Sequence, residues 1–401
     1  MVSSSSSLSS VDDDKSYTST VEWDHESFET FQFRVMTLAW KTIWPEASSI
    51  DDKITVERLK GGGFNRIIGI TRQSPYGEKT EYILRMPRLD ATQVDHDVAA
   101  LQFVRRNTKI PVPRVVMFDE TEYNALGVPY GIQNRIRGVD LISTYPDLNH
   151  QDRCRFAREF GRILRQMLNV RSNKAGRLVM PSDDKSMTAP IHVAAFRSTD
   201  PCLTTPFNSS SPSEESVYKM LENAFNAQKN DMLERRPKEK LGPRQMDEFI
   251  QMASELEASG WFANQHYYSL AHLDLAPRNI LVDPTSNKAI ISAILDWDSA
   301  ILAPMFMSCA PPMWIWDWKD DEEEDEREAN NPPTPEGQEL KRIFDKAAGK
   351  RYCRLAYEPA YRVARRLVQF TIDPMRSNES MREAEVMFRE WAEMMRAREA
   401  E

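Results

Sequence analysis

Three polar side chains, Asp274, Asn279 and Asp296, stand in the largely apolar stretch AHLDLAPRNILVDPTSNKAIISAILDWDSA, Ala271 to Ala300. Carboxylates and amides are costly to bury without partners, so their placement asks for a chemical reason. Ile280 to Val282 is a short apolar run, DPTSN a turn, and Ile290 to Leu295 a second apolar run. Two strands joined by a turn form a hairpin, which returns Asp296 close to Asn279. Asp274 lies five residues upstream of Asn279, in the loop that enters the hairpin.

Two acids and an amide meeting at one end of a hairpin make an oxygen-rich site. Mg²⁺ prefers oxygen ligands and binds phosphates alongside one or two carboxylates. The Asn279 carbonyl and the Asp296 carboxylate suit such a cation, which would relieve the repulsion between the acids. Asp274, offset from them, is then free to accept a proton from an incoming hydroxyl. A chance acidic hairpin is the competing account.

The elements around this stretch divide in character. Phe28 to Trp44 carries Phe31, Val35, Leu38 and Ala39 at helical spacing. Strand-like pieces follow at Ile54–Leu59, Ile67–Thr71 and Tyr82–Met86, joined by Gly61, Gly62 and Gly63 and by the turn SPYGEK. Val94, Val98, Leu101 and Val104 predict a helix that IPVP ends, and Val115–Phe118 and Tyr130–Ile136 predict two more strands. Beyond Gly138 the chain reads as mostly helical, with apolar stripes at Phe156–Leu168, Val217–Phe225 and Met246–Leu256. Ser172 to Ser213 reads as loop, and Glu339–Gln369 and Ser380–Glu401 as amphipathic helices. A cleft between two such lobes is a natural small-molecule site.

HLDLAPRN resembles the catalytic loop of the kinase superfamily, H-x-D-x-x-x-x-N, and ILDWDSA resembles its metal-binding D-F-G position. The D-W-D form is similar to the aminoglycoside phosphotransferase and choline kinase-like enzymes rather than to protein kinases. The two motifs stand in the right order, 17 residues apart from Asn279 to Asp296. The resemblance implies an α+β, protein kinase-like two-lobed fold, with a small antiparallel β-rich N-lobe and a larger helical C-lobe. It implies Asp274 as catalytic base, Asn279 and Asp296 as Mg²⁺ ligands, His272 as scaffold of the loop, and ATP as the phosphoryl donor. The lobes would cover residues 21–138 with a hinge at Gln133–Gly138, and residues 139–401.

In the N-lobe, Gly61, Gly62 and Gly63, placed between the first two strands, would let backbone amides approach phosphate, with Phe64 shielding the tip; a flexible hairpin turn is the alternative. Arg85, in YILRMPR, stands where kinases generally carry Lys, and Asp97, in DVAAL, where they carry Glu. An Arg85–Asp97 pair would keep the ion-pair logic, against the alternative of a surface salt bridge. Ala276 places no charge where relatives have Lys or His, and Arg278 either compensates or faces solvent. No A-P-E follows the D-W-D segment, which favours a small-molecule hydroxyl acceptor over a protein. Pro311, Pro312, Trp314, Trp316 and Trp318 wall a pocket or pack beneath it. Asp298 binds a cation or braces its loop. The competing function is a catalytically silent nucleotide-binding protein, motivated by Arg85 and Ala276.

Composition excludes several other classes. The 401 residues exceed a single compact core. There is no apolar run of 18 residues to span a membrane, and residues 1–20 form a Ser-rich tail without a signal core, expected to be disordered. A cytoplasmic location is the expectation. The net charge is −9, of which the acidic loop 319–328 carries −6, and no basic stripe suggests nucleic acid. Cys154, Cys202, Cys309 and Cys353 lack CxxC spacing, so neither a zinc site nor a disulfide framework is expected.

Overall fold

The computed structural model describes residues 26–47, 51–59, 65–88, 93–181, 186–196, 216–235, 241–263, 265–319, 325–373 and 378–399. The expected Ser-rich tail and residues 320–324 of the acidic loop lie outside them. Contacts divide the chain into two units, Met1–Val98 with Pro113–Ile136, and Ala99–Val112 with Arg137–Glu401.

The first unit is built on one antiparallel sheet. Its strands are β1 (Lys53–Arg58), β2 (Asn65–Gln73), β3 (Lys79–Pro87), β4 (Val115–Asp119) and β5 (Tyr130–Asn134), in the order β1-β2-β3-β5-β4. Helix α1 (Phe28–Leu38), extended by one π-helical turn at Ala39–Ile43, buries Phe31, Val35 and Leu38 in the same core as Ile68, Ile70, Leu84 and Ile132. Trp44 after that turn stacks on Tyr82 at 5.3 Å. The Ser74–Lys79 turn closes with the Ser74 N–H on Glu78 O at 2.8 Å. Helix α2 (Gln93–Asn107) follows, and the division between units falls within it, after Val98.

The second unit is mostly helical, so the α+β architecture is as expected. Its helices are α3 (Leu141–Thr144), α4 (His150–Asn169), α5 (Val217–Arg235), α6 (Leu241–Ala258), α7 (Pro335–Ala348), α8 (Lys350–Tyr357), α9 (Pro359–Ile372) and α10 (Asn378–Glu399). Phe249 of α6 joins four helices, with ring contacts to Phe225 at 4.9 Å, Phe370 at 5.0 Å and Phe388 at 5.1 Å. The expected helix over Glu339–Gln369 is three helices. Gly349, at φ 93°, leaves the right-handed region and ends α7, and Pro359 opens α9 because it lacks an N–H to continue α8.

Two small sheets complete this unit. Strands β6 (Val139–Asp140), β10 (Ile280–Val282) and β11 (Ile291–Ile294) pair in the order β11-β10-β6. Strands β7 (Gly176–Val179), β8 (His192–Ala194), β9 (Tyr268–Ala271) and β12 (Ile301–Pro304) pair in the order β8-β7-β12-β9. The segment read as loop, Ser172–Ser213, therefore contributes β7 and β8. They are four and three residues long and exist through pairing, β7 with β12 and β8 with β7, rather than through local propensity. Cys154, Cys309 and Cys353 are free thiols, and burial pushes Cys309 up to about 12. No described helix is long and apolar enough to cross a membrane.

Helices α4 and α7 meet at Gly161, where a Cβ would lie 2.8 Å from Phe344 O and 3.0 Å from the Ala347 Cβ. Helix propensity alone would make Gly161→Ala stabilising by about 1 kcal/mol. The close approach should instead make it destabilising by about 1–3 kcal/mol in urea unfolding, and a gain in stability would show that the helices separate freely. At the start of α4, His150 holds Glu336 (3.3 Å) and Glu339 (3.1 Å) of α7. Those hydrogen bonds, Glu336 first, raise its pKa above 6.5. A raised histidine stabilises fully below its unfolded pKa and loses that contribution as pH rises through the folded value. The melting-temperature gap between wild type and His150→Ala should therefore narrow on going from mildly acidic to alkaline buffer.

Candidate active site

The segment His272–Ala300 is a closed loop pinned at its base. Strand β9 ends at Ala271 and β12 begins at Ile301, and these two residues are register partners. Within the loop, β10 and β11 pair from Val282↔Ile291 to Ile280↔Ile294. The ladder continues one step further, with the Leu295 N–H on Asn279 O at 2.8 Å. Asp296 is the next residue. The hairpin thus brings Asn279 and Asp296 to one end, as the apolar runs predicted.

Asp274 is tied to the same end. The Asn279 amide nitrogen donates to the Asp274 carbonyl at 2.7 Å and to its Oδ2 at 2.9 Å. The amide nitrogen is thereby committed, and the amide oxygen is the atom Asn279 can present to a cation. Arg278 donates to the other carboxylate oxygen, Oδ1. Arg278 is thus exposed to solvent and also turned onto Asp274.

His272 supports the loop from beneath. Its ring is buried, and burial lowers its pKa, so the imidazole is neutral. The Asp274 N–H donates to Nδ1 at 3.2 Å, so the proton sits on Nε2, which bonds Leu295 O at 2.8 Å. One neutral ring therefore links the loop before Asp274 to the strand end before Asp296. Trp297 packs on it at 4.7 Å and donates its indole N–H to Ile294 O at 3.0 Å.

Asp296 has φ 63° and ψ 54°, the one non-glycine with positive φ among the described residues. That conformation costs of order 1 kcal/mol even for Asp. It turns the backbone abruptly from β11 into the 3₁₀ turn Trp297–Ser299, which also carries Asp298. Strain of this kind clusters at functional positions.

In the first unit, Arg85 of β3 and Asp97 of α2 form an ion pair, Nε to Oδ2 at 3.3 Å. Both side chains are almost fully buried, unlike a surface salt bridge. Gln133 of β5, read from sequence only as a hinge position, donates to the same Oδ2 at 2.9 Å. Its alternation along the strand Tyr130–Asn134 was the available signal. Gly61, Gly62, Gly63 and Phe64 lie outside the described residues.

Of the Pro- and Trp-rich segment, Pro311, Pro312 and Trp314 line a cavity, Trp316 is buried, and Trp318 stacks on Tyr145 at 4.9 Å. Both expected roles, wall and packing, are filled by different residues. Of the acidic run, Glu326 pairs with Arg365 at 2.5 Å.

Removing one partner of a buried pair leaves a charge uncompensated. Arg85→Met should therefore cost roughly 3 kcal/mol in equilibrium unfolding. Adding Asp97→Leu to it should recover part of the loss, because the carboxylate that lost its guanidinium is then gone as well. A single variant as stable as wild type would show the pair to be structurally idle.

The chain is similar to several known proteins. Two subtelomeric hrmA-associated cluster proteins, from two strains of Aspergillus fumigatus, are 23% identical over 312 residues, or 64% of this chain and 60% of theirs. The match thus spans about three-fifths of those relatives' length. Among solved structures, ADP-bound aminoglycoside phosphotransferase APH(2'')-Ib is 13% identical, with 88% of this chain and 97% of that one covered and a TM-score of 0.49. The streptomycin–ATP ternary complex of APH(2'')-IIa is 13% identical, with 83% and 90% covered and a TM-score of 0.45. Residues 71–331, which include Arg85, Asp97 and the whole loop from Asp274 to Asp296, match the phosphotransferase enzyme family, and the chain belongs to it.

Proposed function

We propose that this protein transfers the γ-phosphoryl group of Mg–ATP to a hydroxyl of a small molecule. The observation that carries the reading is the convergence of Asp274, Asn279 and Asp296 at one hairpin end, with Asn279 bonded to Asp274 and Asp296 one residue past the last rung. A carboxylate and an amide oxygen form the hard donor set that Mg²⁺ requires, so Asp296 and the Asn279 Oδ1 would hold it. The ion supplies charge neutralisation on the transferring phosphates when bound.

Asp274 takes the proton of the acceptor hydroxyl as its oxygen bonds to the γ-phosphorus and the bond to the β–γ bridging oxygen breaks, releasing ADP. Asn279 and Arg278 hold the two carboxylate oxygens and so aim the base. Arg278 thereby stands in a positioning role beside a loop position where Ala276 offers no charge. Arg85 supplies a cation for the nucleotide phosphates, with Asp97 and Gln133 fixing its direction. Gly61, Gly62, Gly63 and Phe64 would cover the phosphates.

The test is ADP release across a panel of hydroxyl compounds, with and without Mg²⁺. A positioned base contributes about 10²–10⁴-fold, so Asp274→Asn should lower turnover by that factor while leaving the ATP-induced thermal shift in place. Chelation should abolish turnover. Should ATP bind equally well without Mg²⁺ and no acceptor release ADP, the silent nucleotide-binding reading stands instead.

A further inference from the structure

The second unit contains a cavity of about 370 Å³ whose wall includes the loop that carries Asp274. Leu273 and Leu275 both line it and flank Asp274 in the chain. The backbone turns there, with the Ala276 N–H on Asp274 O at 3.1 Å. Each leucine is one Cα step, about 3.8 Å, from Asp274 along the backbone, so the cavity adjoins the loop that carries Asp274, although Asp274 itself does not line it. The volume lies within the range of ligand pockets, roughly 300–1,000 Å³.

The remaining wall decides the chemistry. Phe160 and Leu164 of α4, with Pro312 and Trp314, present apolar surface. Glu326 is the one carboxylate among the lining residues, and it is already paired with Arg365 at 2.5 Å. Arg365 also donates to Leu355 O at 2.7 Å, and Arg366 is paired with Glu390 at 3.2 Å. A polycation would enter without free carboxylates to meet its ammonium groups, which is expensive in an apolar site. An uncharged apolar body loses water against Phe160, Leu164 and Trp314 and gains from it.

We propose that this cavity binds alcohols with an uncharged apolar body, and that such alcohols, rather than polyamino sugars, are the acceptors. The second half rests on the phosphotransfer reading above; the first half does not. The hydroxyl end lies toward the loop of Asp274 and the apolar body against α4 and Trp314.

Calorimetric titration of the full chain, without nucleotide or Mg²⁺, tests the cavity with 2-phenylethanol, octan-1-ol and kanamycin as probes. Ala310 and Gln369 line the cavity at exposed positions, so Ala310→Trp and Gln369→Trp should obstruct it without disturbing the core. Their folding is checked by an unchanged thermal shift with ATP. We expect saturable binding of both alcohols, weakened at least tenfold by each variant, and no saturable binding of kanamycin. In ADP-release assays, each variant should raise the alcohol KM at least tenfold and leave the ATP KM unchanged. Alcohol binding indifferent to both variants overturns the proposal, as does turnover of kanamycin in preference to the alcohols, and phosphotransfer then stands without it. Alcohol binding that obeys the variants, with no ADP released from any compound, retains the cavity's ligand class and removes the phosphotransfer reading.

Discussion

The backbone hydrogen bond from Leu295 to Asn279 is the interaction on which the site depends. It extends the β10–β11 ladder by one rung and ends it with Asp296 the next residue and Asn279 bonded to Asp274. Everything around it preserves that rung. His272 accepts from Asp274 and donates to Leu295, so the loop and the strand end move as one piece. Trp297 fills the space beneath, and the β9–β12 pairing closes the base at Ala271 and Ile301. A neutral histidine suits this task because each ring nitrogen has one defined partner; a charged ring would set two N–H groups where only one acceptor waits.

Strain and support are coupled at Asp296. Its left-handed backbone is tolerated because Trp297 is anchored immediately after it and Leu295 immediately before. Without those anchors, an L-residue would relax into the strand direction and carry its carboxylate away from Asn279. The cost of about 1 kcal/mol is small against the burial of a tryptophan, which offsets it through apolar surface removed from water.

The first unit solves a different problem, a cation held almost fully inside a protein. Arg85 is directed by a shorter acid than the family pattern supplies, and Gln133 adds a second hydrogen bond to that acid. An aspartate reaches less far than a glutamate, so the amide of a neighbouring strand fixes the carboxylate that the helix alone would leave to rotate.

Local pattern sufficed wherever a side chain's neighbours in space were also neighbours in sequence. Ile280–Val282, the DPTSN turn and Ile290–Leu295 dictate a hairpin, so the meeting of Asn279 and Asp296 was legible, as were the β1–β3 meander and the apolar stripe of α4. The Arg85–Asp97 pair followed from the inward phase of Asp97 beside Val94 and Leu101. Long-range pairing was not legible. Strands β7 and β8 are too short to announce themselves and form only because β12 offers an edge to β7, and β7 in turn to β8. The turn of Arg278 onto Asp274 depends on a 3₁₀ bend at Pro277–Asn279, and the cavity beside Leu273 depends on α4, α9 and the Pro–Trp segment arriving together. Sequence by itself thus determined which residues could do chemistry and the hairpin that gathers them, because both are local. Tertiary structure decided what supports them and what can lie beside them, because those depend on side chains far apart in sequence sharing one volume.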